Sequence, residues 1–156
     1  MICLKEKAEI YRLGLIAGIF SKDDVINWVD AVIGEESNID YALIEVSLNS
    51  TKNLEDIALE LKNVKGEFDS KIVASILIGI LALKFEENHD LGSEIASMLH
   101  KFAHNSTVLD NEVISKINEL NDGFYLAEQE IYGNLKDMTI ELHDFLKDYI
   151  NFGKEF

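Results

Sequence analysis

Ile72-Val73-Ala74-Ser75-Ile76-Leu77-Ile78-Gly79-Ile80-Leu81-Ala82-Leu83 is a run of 12 residues without a charge, closed at its ends by Lys71 and Lys84. As a strand, its isoleucines and valine would suit a pleated surface. As a helix, it would be apolar on most of its circumference and would have to be buried. Twelve residues is twice an ordinary strand, about 5–6 residues, and well short of the roughly 20 needed to cross a bilayer. The other segment that could pass for a strand is Tyr41 to Leu48, Tyr-Ala-Leu-Ile-Glu-Val-Ser-Leu. No hairpin signal joins the two, so as strands both would lack partners. The chain therefore reads as all-α, with 70–87 as the central buried helix.

The chain contains no proline, so nothing forces a break inside a periodic apolar segment. A first helix is expected over 4–20, where Ile10, Leu13, Ile16, Ala17 and Phe20 recur at three- and four-residue spacing. Ser21 then caps a second helix running to Ile33 and stopping at Gly34, with Val25, Trp28, Val29 and Val32 on its apolar side. Ser37 is expected to cap a third helix ending at Leu48, and Ser50 or Thr51 a fourth that closes at Lys65-Gly66. Helices over 91–103, 108–132 and 135–151 follow, the last capped by Asn134; Gly123 marks either a break or a close helix contact. No repeat of fixed period favours an α-solenoid, so the expectation is one domain over 1–156, a single compact bundle of about seven or eight helices.

Charge is the second signal. The chain of 156 residues has 29 acids against 14 bases, a net charge of −15. At 47% hydrophobic residues it can still build a core. Asp23 to Thr51, 29 residues, carries seven carboxylates and neither lysine nor arginine. Glu86, Glu87, Asp90 and Glu94, and then Glu119, Asp122, Glu128 and Glu130, fall in two further stretches free of both bases. Acids interleaved with lysines at four-residue spacing would stabilise helices; these are set apart from them. Such a field repels phosphate and anionic lipid and speeds encounter with basic partners, which argues against nucleic-acid and membrane binding. Cys3 is the single cysteine, which fits a reducing compartment. The Lys-Glu-Lys cluster of residues 5–7 stands where a signal peptide would need apolar residues, and the expected address is cytoplasmic.

Catalytic patterns are weak. His100 and His104 stand four apart on a predicted helix, a spacing that can present two imidazoles to one metal, yet no glutamate or third ligand accompanies them. Glu86 and His89 match one Glu-x-x-His element, where di-iron bundles need two. Cys3 has no histidine nearby, the glycines form no phosphate loop, and no EF-hand window exists. The expectation is a chain that is not an enzyme and needs no cofactor and no metal.

Tyr11-Arg12-Leu13-Gly14-Leu15-Ile16, Asp24-Val25-Ile26-Asn27-Trp28-Val29-Asp30, Asn121-Asp122-Gly123-Phe124-Tyr125-Leu126-Ala127-Glu128 and Ile131-Tyr132-Gly133 together resemble the small helical immunity proteins of bacterial polymorphic toxin systems, including contact-dependent growth inhibition. The resemblance extends over most of the chain. It implies a cytosolic, non-enzymatic protein that binds a cognate toxin domain, often a basic nuclease, over its active site or a neighbouring surface. The acids would then imitate substrate phosphates. The expected main interface is Asp23, Asp24, Asn27, Asp30, Glu35, Glu36 and Asp40, with Tyr41 as aromatic anchor and Trp28 in the core. A second candidate surface is Asp122, Tyr125, Glu128 and Tyr132, with at least one of its tyrosines expected in the core. The rival reading is a helical adaptor or regulatory subunit that binds a basic cellular protein.

Overall fold

The computed structural model describes residues 2–156. Among these every element is helical and none is a strand. Both stretches that could have read as strands are helices, because neither has a partner to supply the missing backbone hydrogen bonds. The elements are α1 (Leu4–Ile16), α2 (Lys22–Glu35), α3 (Tyr41–Leu48), α4 (Leu54–Lys62), α5 (Ser70–Glu87), α6 (Gly92–His104), α7 (Asn111–Glu128), α8 (Leu135–Leu146) and the single turn α9 (Ile150–Gly153). Single 3-10 turns, His89–Leu91 and Lys147–Tyr149, precede α6 and α9. They cluster as two compact units, Met1–Asp69 and Ser70–Phe156.

Helix ends follow capping chemistry more closely than hydrophobic pattern. Ser21 Oγ accepts from the Asp24 amide at 3.1 Å while Asp24 Oδ2 accepts from the Ser21 amide at 2.8 Å, a reciprocal pair that satisfies two orphan donors. Helix α2 then continues through Gly34 to Glu35, because Gly34 does not take the left-handed conformation by which a glycine ends a helix. Helix α1 ends early, at Ile16, because Gly18 takes φ +79° and the amides of Ile19 and Phe20 turn back to the Gly14 carbonyl at 2.7 and 3.2 Å. Helix α3 starts at Tyr41 and not after Ser37, because the Asp40 carboxylate accepts from the Ala42 amide at 2.9 Å. Asn53, and neither Ser50 nor Thr51, caps α4 through the Asp56 amide at 2.9 Å. Asn134 caps α8 as expected, at 2.9 Å from the Asp137 amide. Each such cap is worth about 1 kcal/mol.

In the first unit, Ala8 and Leu15 of α1, Val25 and Val29 of α2, Leu43 and Val46 of α3, and Ile57 and Leu61 of α4 form one core, with Trp28 packed against it. Trp28 stacks on Tyr11, ring centres 4.4 Å apart. A charged network that the apolar pattern did not announce runs along α1. Glu9, only 2% exposed, pairs with Lys5 at 3.2 Å and with Arg12. Lys5 Nζ also donates to the Lys62 carbonyl at 2.8 Å, satisfying an orphan acceptor at the C-terminal end of α4.

In the second unit, α5 is buried on nearly every side, with Val73, Ile76, Leu77, Ile80, Leu81 and Phe85 all in the interior. Glycines set how closely its neighbours approach. A Cβ on Gly79 would lie 2.3 Å from the Gly153 amide nitrogen of α9. Gly92 lies beneath Phe124 and Phe85, and Gly123 faces Met138 of α8. Gly123 therefore marks a helix contact and not a break.

Candidate partner-binding surfaces

Helix α2 and the segment after it place Asp23, Asp24, Asn27, Asp30, Glu35 and Glu36 at the surface, and leave Asp40 half-buried. Several have local duties. Asp24 belongs to the Ser21 cap. Asp30 accepts from the Ser47 hydroxyl at 2.8 Å, tying α2 to α3. Asp40 holds the start of α3 and, through its other oxygen, the Lys65 amide at 2.9 Å. Replacing Asp24 or Asp40 would therefore disturb structure, whereas Asp23, Glu35 and Glu36 make no ion pair among the described residues.

Tyr41 is 71% exposed. A hydrogen bond to Glu45, with the charges of Glu45 and Glu60 adding to it, raises its phenol pKa above the ordinary value, so the ring stands beside carboxylates. Leu48, seven residues on along the same side of α3, is also exposed. Leu48 was missed because on an eight-residue helix a leucine at the end reads as core by pattern alone.

The second surface differs from expectation. Tyr125 and Tyr132 are 60% and 78% exposed, so neither tyrosine is a core residue. The cause is where α7 stops. Its inner side is Ile117, Leu120, Phe124 and Ala127; Tyr125 comes one residue after Phe124, a rotation of about 100° away from that side. Asp122 and Glu128, three residues either way, are its exposed neighbours on the helix surface. Helix α7 ends at Glu128 and not at Tyr132, through a left-handed closure in which Glu130 N–H donates to the Ala127 carbonyl at 3.2 Å and Ile131 N–H to the Leu126 carbonyl at 2.9 Å. Glu130 sits there at φ 56°, a position that usually takes glycine or asparagine, and a strained non-glycine residue of this kind costs about 1 kcal/mol.

This closure projects Ile131, 66% exposed, and Tyr132, with exposed Leu135 following at the start of α8. Ile131 and Leu135 were not anticipated as surface groups. The signal that could have found them is Asn134 as a cap, which forces a turn between Glu128 and Leu135. Asp122, Glu128 and Glu130 make no ion pair among the described residues. The result is a set of unshielded aromatic and aliphatic groups bordered by uncompensated negative charge.

Elsewhere, His143 Nδ1 of α8 lies 3.3 Å from Glu86 Oε1, and His89 stacks on Phe85. Cys3 is exposed, its thiol donating to the Glu67 carbonyl at 3.6 Å. Among the described residues no group of three or more His, Cys, Asp or Glu could hold a metal ion, and no helix is long and apolar enough to cross a membrane. No protein-family model, curated protein or solved structure matches the chain.

Proposed function

We propose that this chain is an immunity protein that acts in the cytosol, binding a cognate toxin domain, a basic nuclease, and neutralising it by occupation and not by turnover. The observation that carries this reading is the α7–α8 turn, where Tyr125, Ile131 and Tyr132 stand exposed beside Asp122, Glu128 and Glu130. Exposed aromatics supply the desolvated centre of an interface, and the acids around them supply partner choice and association rate. The exposed side of α3, with Tyr41 and Leu48 close to acidic α2, offers a second surface of the same chemistry. The likeness of the four sequence stretches to helical immunity proteins supports the same reading.

On this account the carboxylates occupy the sites where the toxin's lysines and arginines bind phosphate. A net charge of −15 raises the encounter rate with such a partner and makes it fall steeply with salt. The test is growth of cells expressing the product encoded immediately upstream, with and without this chain, followed by co-purification. Rescue with a stable complex supports the proposal. Toxicity without rescue, or no toxicity, refutes it and favours an adaptor or regulatory subunit that binds a basic cellular protein.

A further inference from the structure

We propose that His100 and His104 form a two-imidazole clamp for one late first-row divalent cation, Zn2+ or Ni2+. Both rings are on the exposed side of α6, opposite Ile95, Ala96, Leu99, Phe102 and Ala103. They are one turn apart, with ring centres separated by 6.5 Å. The sequence alone leaves such a pair as a solvated helix face. What the fold adds is Asn118 of α7, whose Oδ1 lies 3.1 Å from His100 Nδ1.

An amide oxygen can only accept, so in the tautomer that makes this hydrogen bond Nδ1 carries the proton and the Nε2 lone pair of His100 is left for a cation. Orientation of a ligating imidazole by a partner on its other nitrogen is a recurrent feature of metal sites. His104 makes no hydrogen bond among the described residues. Metal–nitrogen bonds of about 2.0–2.1 Å on a tetrahedral ion would bring the ring centres to roughly 5–6 Å. Binding therefore needs a closure of about 1 Å and a rotation of the rings until both planes contain the ion, which side-chain torsions can supply.

Two neutral imidazoles select zinc, nickel or copper over magnesium and calcium, which want oxygen. Two protein ligands leave two positions of a tetrahedral ion for water, so binding is modest and reversible. The other two histidines of the chain provide a built-in comparison. His89 and His143 also have ring centres 6.5 Å apart, but His89 lies against Phe85, and the Nδ1 of His143 faces Glu86.

The experiment is a titration of the full chain with Zn2+, then Ni2+, followed by the imidazole resonances of all four histidines and by calorimetry. The expected result is saturable movement of the His100 and His104 signals, no response to Mg2+, at least tenfold weaker binding in His104→Ala, and several-fold weaker binding in Asn118→Ala. His143→Ala should bind as the parent does. Absence of saturation below millimolar metal, unchanged affinity in His104→Ala, or a response centred on His89 and His143 would overturn the assignment.

Discussion

Gly79→Ala tests the closest helix contact in the second unit. In an exposed helix interior this substitution stabilises by up to about 1 kcal/mol, because alanine loses less backbone entropy on folding. Here the new Cβ would stand 2.3 Å from the Gly153 nitrogen and 2.4 Å from the Tyr149 carbonyl oxygen. Ordinary contact begins about 1 Å farther out, and both obstructing atoms are backbone, unable to rotate aside. Overpacking costs about 1–3 kcal/mol and more where nothing yields. The clash therefore wins over propensity, with a net loss of about 2 kcal/mol. With a urea dependence near 2 kcal/mol per molar, the unfolding midpoint should fall by about 1 M. The measurement is urea unfolding by far-UV circular dichroism. Gly153→Ala, whose Cβ meets the Gly79 carbonyl at 2.3 Å, should produce a similar loss, and the double variant should lose much less than the sum because both open one contact. Gly34→Ala, with nothing within 4 Å, should be neutral or stabilising. A Gly79→Ala protein as stable as the parent would mean that α9 does not dock on α5 through these two glycines.

Glu9→Gln removes the countercharge of buried Lys5 and should destabilise by about 3 kcal/mol, measured by the same urea titration, because an unpaired buried charge costs more than the pair contributed. At alkaline pH, burial and then the charge of Asp24 raise the Tyr11 pKa, and burial with Asp148 and Asp110 raises that of Tyr149. The folded state therefore holds these protons longer than the unfolded chain does, so stability is retained below about pH 10 and lost as pH rises through the folded values. Tyr11→Phe/Tyr149→Phe should flatten that alkaline limb between pH 9 and 11. In a complex with the proposed toxin partner, Tyr132→Ala should weaken binding by about 2 kcal/mol, some thirtyfold in Kd. Reversal of Asp122, Glu128 and Glu130 to lysine should slow association at least tenfold and reduce its salt dependence. If instead Asp23→Lys/Glu35→Lys/Glu36→Lys produces those effects, the interface belongs to α2 and the segment after it.

The class of fold and the location of its central helix were legible in the residues before any packing was known. A 12-residue apolar run is long for a strand, has no partner strand and is too short for a membrane, so a buried helix over 70–87 was favoured over the rival strand, and the structure places α5 there. Caps that depend on residues three apart, Ser21 with Asp24 and Asn134 with Asp137, were legible because the interaction is local. Boundaries set by competition between neighbouring candidates were not. Asp40 displaces Ser37 as a cap partly because its second oxygen also takes the amide of Lys65, 25 residues away. The acidity of the candidate surfaces was visible in composition; the exposure of Tyr125, Ile131 and Tyr132 was not, because a tyrosine beside a phenylalanine on an amphipathic helix shows which way it faces only when the helix end is known. Only the tertiary structure could decide that Gly79 and Gly153 touch, that Glu9 is buried between two cations, and that Asn118 orients His100. Each of these joins residues distant in sequence or turns a surface-type residue inward, and hydrophobic period contains no information about which polar groups meet once the helices pack.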